Sequence, residues 1–202
     1  MDSNAMRQVV APAYGWSKER TLPTLHAQGQ GDELLFTAGP EQARVCLRNG
    51  EIESVTVQYG DRPARVIGPD EAGYLRVGEG NWARDVYHWV RPGGELPSLR
   101  LGITHHCGMG TWSSLPHDFE LHPEPGFEEL FFYLLEGGPR RAIQVGRGQW
   151  ESGEPVDGLW PVHDHSFGVI PMGYHPVVGE PGVRVSYVWA YLAKKPEWEK
   201  FK

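Results

Sequence analysis

The stretch Arg44-Val-Cys-Leu-Arg-Asn-Gly-Glu-Ile-Glu-Ser-Val-Thr-Val-Gln-Tyr59 decides the fold class. Two β-prone runs flank Asn49-Gly50, and Asn-Gly accepts the positive φ angles of a type I′ turn, so the stretch reads as a β-hairpin. Working outward, short β runs recur at 64–67, 74–77, 85–90, 98–104, 129–135, 141–145, 166–170 and 183–192. In the last of these Val183, Val185, Tyr187, Trp189 and Tyr191 share one face at the two-residue period of a strand. The other face mixes Arg184 and Ser186 with apolar residues, so both faces of that strand are largely covered. Short strands punctuated by turns predict an all-β sandwich or barrel. From Met6 to about Pro40 periodicity is weak, and Gly29-Gln30-Gly31 reads as loop. Residues 1–6 read as a cloning scar ahead of Met6 and stay outside the fold reading. The tail, 194–202, is expected to form at most a short helical turn.

Composition agrees. The 202 residues include 26 Gly and 17 Pro, scattered along the chain, which break helices and suit tight turns. Eight Trp, eight Tyr and seven Phe supply too much buriable surface for a disordered chain. Nineteen basic against 26 acidic residues give a net charge of −7. With no basic tract, nucleic acid and anionic membrane are poor partners, because Lys and Arg supply most of such binding. No apolar run approaches the roughly 20 residues a spanning helix needs. Two cysteines, Cys46 and Cys107, cannot staple a fold of this size, and no secretory leader is read, so a reducing cytoplasm is expected. The implied partner is a small molecule.

Seven of the nine histidines lie between residues 105 and 175: His105, His106, His117, His122, His163, His165 and His175. Imidazole is the commonest transition-metal ligand and titrates near neutrality, so the cluster points to a metal site or an acid/base site. Turn or surface positions account better for His163 and His165, in Pro161-Val-His-Asp-His165. Glu129 opens Glu129-Leu-Phe-Phe-Tyr-Leu-Leu135, where the strand period places it beside Phe131, Tyr133 and Leu135. A carboxylate on such a face is costly unless it has a partner or metal, or sits at a frayed, solvated strand start. His175 follows a Pro171-Met-Gly173 turn able to aim an imidazole inward.

Together, Gly110-Thr-Trp-Ser-Ser-Leu-Pro-His117, Glu128-Glu-Leu-Phe-Phe-Tyr133 and Ile170-Pro-Met-Gly-Tyr-His-Pro-Val177 resemble the motifs of the 5-deoxy-glucuronate isomerase (KduI/IolB) family. Gly80-Asn-Trp-Ala-Arg84 is similar to the segment opening that family's second cupin unit. The resemblance covers residues 80–193. It implies a cupin, a jelly-roll β-barrel: one intact C-terminal barrel over 81–193 and a reduced N-terminal β unit over 7–80, since the chain is shorter than two full barrels.

The family's metal ligands are a His-x-His pair, the Glu that opens the aromatic strand and the His after the Pro-Gly turn. Glu129 and His175 carry over directly. The first pair does not, because this chain has Trp112-Ser-Ser-Leu-Pro-His-Asp-Phe-Glu120 there. His117 with Glu120 is the preferred assignment, since Pro116-His117 keeps the Pro-His step, although a bulge is then needed. Asp118 with Glu120, and His122 with Glu124, are the other registers. Two His and two carboxylates suit Zn, Mn, Fe or Ni, and spacing does not choose among them; a degenerate site without metal is the alternative.

The implied reaction is an aldose–ketose isomerisation of a deoxyuronate, which needs an electrophile to polarise the carbonyl and a base to shuttle the proton. Glu120 and His122 are the base candidates, with His105 and His106 behind them; His105-His106-Cys107 reads slightly better as a turn into Gly108. The substrate carboxylate calls for a guanidinium, with Arg141 and Arg147 as candidates and Tyr133 as a further substrate contact. The competing class is a non-isomerase cupin, either a sugar-acid binding or regulatory module or a metal-dependent oxygenase. A homo-oligomer is expected.

Overall fold

A computed structural model describes residues 7–11, 24–113, 129–150 and 153–193. Residues 1–6 and the tail at 194–202 lie outside them. Apart from two short 3-10 turns, every described element is a strand, and the strands form three antiparallel sheets. The all-β expectation holds.

The first sheet is a sequential meander of β1 (Arg7–Ala11), β2 (Leu25–Gln30), β3 (Glu33–Ala38), β4 (Glu41–Arg48), β5 (Glu51–Tyr59) and β6 (Arg65–Ile67). The predicted hairpin is β4–β5, turning at Asn49 (φ 54°) and Gly50 (φ 80°). In β4 the residues Glu41, Ala43, Val45 and Leu47 point into the core while Gln42, Arg44 and Arg48 face out. Their partners Ile52, Val55 and Val57 are buried too, although 52 and 55 differ in parity. The register shifts between Cys46 and Leu47, and a bulge of this kind lets residues three apart share one face.

Strands β1 to β3 occupy the region of weak periodicity, and Gly29-Gln30 is strand rather than loop. Gly29 is there for space. A Cβ on it would meet Leu34 Cδ2 at 2.8 Å and the Phe167 ring at 3.3 Å, so its lack of a side chain marks close packing and not a turn.

The central sheet runs in the order β13 (Ser166–Ile170), β10 (Glu129–Glu136), β16 (Arg184–Leu192), β9 (Leu99–His106), β8 (Arg84–Val90) and β7 (Gly73–Val77). Strand β16 lies inside this sheet, which explains its two covered faces: only Arg184 is exposed and the rest are buried. The third sheet has β11 (Arg141–Gln149) between β12 (Pro155–His163) and β14 (Met172–Tyr174), with β15 (Val177–Gly179) also pairing to β11. One face of the central sheet carries the N-terminal meander. Phe36 meets Phe167 edge-on at 6.4 Å there, and Phe167 packs on Phe132 at 4.8 Å. The opposite face looks toward the third sheet, where Tyr133 of β10 meets Gln144 of β11.

Candidate functional site

Strand β10 alternates as expected, and its first residue is not frayed. Glu129 is only 7% exposed, on the face it shares with Phe131 and Tyr133. The turn before His175 reverses at Gly173, whose φ of 106° favours glycine and where a Cβ would meet the Arg147 carbonyl oxygen at 2.7 Å. This turn delivers His175, 3% exposed, edge-on to Phe131 and with Nε2 3.7 Å from Glu129 Oε2. The Tyr133 hydroxyl donates to Gln144 Oε1 at 2.8 Å, and Gln144 Nε2 donates to the His175 and Pro176 carbonyls at 2.7 and 3.1 Å. The His175 turn is thereby tied to the strand that carries Glu129.

Of the other expected site residues, His117, Asp118, Glu120, His122 and Glu124 lie outside the described residues. Among the described residues no group of three His, Cys, Asp or Glu converges. Tyr133 is buried, its hydroxyl serves Gln144, and burial holds its pKa well above the ordinary tyrosine value. Arg141 and Arg147 are not brought to this interior. Alternation along β11 turns Ala142, Gln144 and Gly146 inward and leaves both arginines on the exposed face, Arg141 paired to Glu180 at 3.1 Å. His163 and His165 are exposed, at the end of β12 and in the turn after it.

His105-His106 is strand and not turn, and the strand period separates the two rings. His105 points toward the N-terminal meander, with Nε2 2.9 Å from Glu51 and Nδ1 2.9 Å from Ser186 Oγ. That side holds an open groove of about 610 Å³ whose lining includes the ion pairs Arg76–Asp85 and Arg140–Asp164. His106 points into the interior and is 2% exposed. Its Nδ1 lies 3.0 Å from the Thr111 carbonyl, which fixes that nitrogen as the donor. Burial pushes its pKa down to about 4.

Below about 6.5, the ordinary histidine value, His106 is charged in the unfolded chain while the buried ring of the folded protein stays neutral down to about 4, so unfolding takes up a proton there. Stability should therefore rise with pH between about 4 and 6.5. Thermal melts of His106→Gln should show a shallower rise over that interval than wild type; identical slopes would assign the acid sensitivity elsewhere.

Two interior residues that sequence reasoning did not assign to the site, Arg84 and Tyr187, join it beside His106. Arg84, which opens β8, is 7% exposed and lies opposite His106 in the β8–β9 register. Tyr187 on β16 is 4% exposed, stacks on Phe131 at 4.3 Å, and hydrogen bonds through its hydroxyl to Thr104 and Ser113. Burial raises its pKa, Arg84 opposes that rise and Glu129 adds to it. In the strand order, β16 with Tyr187 lies between β10, which carries Glu129, and β9, with β8 and Arg84 beyond it. With His106, these residues make the interior a buried polar chamber with a Glu129–His175 end and an Arg84–His106 end.

The sequence matches the model of the KduI/IolB family over residues 29–202. It is 28% identical over 162 residues to a 5-deoxy-glucuronate isomerase of Geobacillus kaustophilus, covering 78% of this chain and 54% of the relative. It is 29% identical over 159 residues to the enzyme of the same name from Geobacillus thermodenitrificans, covering 77% and 54%. The chain spans about half the length of these curated relatives. Among solved structures, an IolB-like protein from Salmonella typhimurium LT2 superposes with a TM-score of 0.57 at 18% identity, covering 98% of this chain and 83% of that one. At that identity the likeness concerns fold, and it agrees with the expected cupin architecture.

Proposed function

We propose that this chain, which belongs to the KduI/IolB family, acts as a metal-assisted sugar-acid isomerase that moves a carbonyl between adjacent carbons of a deoxyuronate. The convergence of Glu129 and His175 in a buried polar chamber carries the reading. Their 3.7 Å separation is too long for a hydrogen bond. It is roughly the spacing of two donors that each lie about 2.0–2.2 Å from a common ion. One carboxylate oxygen and one imidazole nitrogen fit a borderline divalent cation such as Zn, Mn, Fe or Ni. Glu129 and His175 would hold it, with His117 and Glu120 proposed to complete the set. Such an ion, when bound, polarises a carbonyl as a Lewis acid.

The chain's own residues do the rest. Gln144 and Tyr133 fix the His175 turn against β10, so the two donors keep their separation. Phe131 and Tyr187 wall the chamber with stacked rings and limit water. Glu120 or His122 is proposed as the base that carries the proton between the two carbons. The substrate is proposed to be 5-deoxy-glucuronate or a close deoxyuronate, the compartment a reducing cytoplasm in keeping with free Cys46 and Cys107, and the assembly a homo-oligomer.

Incubation of the metal-loaded protein with 5-deoxy-glucuronate, followed by carbon NMR, should show loss of the aldehyde and growth of a ketone. Tight binding of the acid with no turnover at any divalent metal would replace this reading with that of a sugar-acid binding module.

A further inference from the structure

We infer that Arg84 and His106 form the subsite that recognises the acid end of the substrate, Arg84 binding the carboxylate and His106 Nε2 accepting a hydroxyl hydrogen of the same molecule. The inference deepens the proposed function and rests on it for the substrate class. Arg84 is 7% exposed and faces the chamber, yet among the described residues its guanidinium makes one long hydrogen bond, 3.3 Å from Nη1 to the Trp82 carbonyl. Among the described residues no carboxylate lies within ion-pair distance of it. The arginine ion pairs elsewhere in the described structure are exposed and matched; this cation is buried and unmatched there. A buried guanidinium is costly unless a carboxylate or similar acceptor meets it, and its planar fork is shaped to take one through two parallel bonds.

His106 supplies the second, independent observation. Its Nδ1 is committed to the Thr111 carbonyl, so Nε2 carries the lone pair, and among the described residues that buried nitrogen has no hydrogen-bond partner. As an acceptor it repels a carboxylate and receives a hydroxyl. The β8–β9 register places it directly across from Arg84. A cation for the acid and an acceptor for a hydroxyl, side by side, describe one end of a hydroxy acid. Tyr187 flanks this pair on β16, its ring meeting the His106 ring edge-on at 6.2 Å. The arginines of β11, facing solvent, are not needed for the carboxylate contact.

Calorimetric titration of the full chain with D-glucuronate and, separately, D-glucose tests the assignment. Wild type should prefer glucuronate, and Arg84→Gln should weaken glucuronate by about 10- to 100-fold, the range of a charge-assisted pair, while leaving glucose unchanged. Arg84→Lys, which keeps the charge and loses the fork, should fall between them and serves if the Gln variant does not fold. A wild type without preference for the acid, or an Arg84 variant that keeps the full preference, overturns the assignment. Acid preference that is lost in Arg84→Gln, in a protein that never turns over a deoxyuronate, upholds the subsite and sinks only the isomerase reading.

Discussion

Replacing His175 with alanine is expected to abolish the proposed binding of a divalent metal and to lower the proposed kcat/KM on a deoxyuronate by more than about 100-fold, since even outer-shell changes at metal sites cost 10- to 100-fold. Elemental analysis reads the first effect directly. A second readout separates a ligand from a plain internal ion pair. If Glu129 and His175 hold a metal, a saturating ion at about 100 times its Kd should stabilise wild type by about 2.7 kcal/mol and leave His175→Ala unmoved. If they only pair with each other, removal of either partner should cost about 3–5 kcal/mol whether or not metal is added. Glu129→Gln is the better companion variant than Glu129→Ala, because the carboxylate is buried at the head of β10 and truncation there would confound metal loss with a cavity. A His175→Ala protein that retains stoichiometric metal would remove His175 from the site.

The two residues of this prediction are legible in the sequence because each sits in a local pattern. Glu129 interrupts an otherwise apolar face of an alternating strand, and His175 follows a Pro-Met-Gly turn whose backbone favours glycine at 173. Arg84 and Tyr187 carry no such mark, and His106 stands in the sequence only as one histidine of a cluster. Their chamber arises from pairings between strands far apart in sequence, Arg84 opposite His106 and Thr104 opposite Tyr187, and sequence spacing does not show which arginine such pairings bury. The same limit applies to Arg141 and Arg147: β11 is recognisable as a strand, but that its exposed face carries both arginines depends on the sheet it meets. Strand β12 is hidden for a local reason. It contains Gly158 and Pro161, which depress strand signals, and it tolerates proline because it is an edge strand of its sheet. The β2–β3 hairpin is obscured by Ala27 and Gly29, small residues required by close packing that leave little hydrophobic amplitude.

Glu41→Ala is expected to destabilise the protein by about 3–5 kcal/mol, a loss comparable to breaking a buried ion pair and large against the total stability of a domain. Glu41 is the buried first residue of β4 and is 4% exposed, although β4 belongs to the N-terminal meander. Its carboxylate crosses to the central sheet, where Oε2 accepts the backbone N–H groups of Ser98 and Leu99 at 2.9 and 2.8 Å and Oε1 takes a longer bond from Ser98 at 3.2 Å. Leu99 begins β9, the strand that carries Thr104 and His106 into the chamber. Alanine would leave two buried backbone donors without an acceptor, each costing about 1–3 kcal/mol. Glutamine keeps an acceptor oxygen and should recover a good part of the loss. Chemical denaturation of the three proteins reads the ordering directly: wild type most stable, Glu41→Gln intermediate, Glu41→Ala least. The alanine variant should also bind glucuronate less well even where it remains folded, because the start of β9 and, through it, His106 lose their anchor. A Glu41→Ala protein as stable as wild type would mean that the meander rests on the central sheet through its apolar face alone, with Phe36 and Leu34 supplying the attachment.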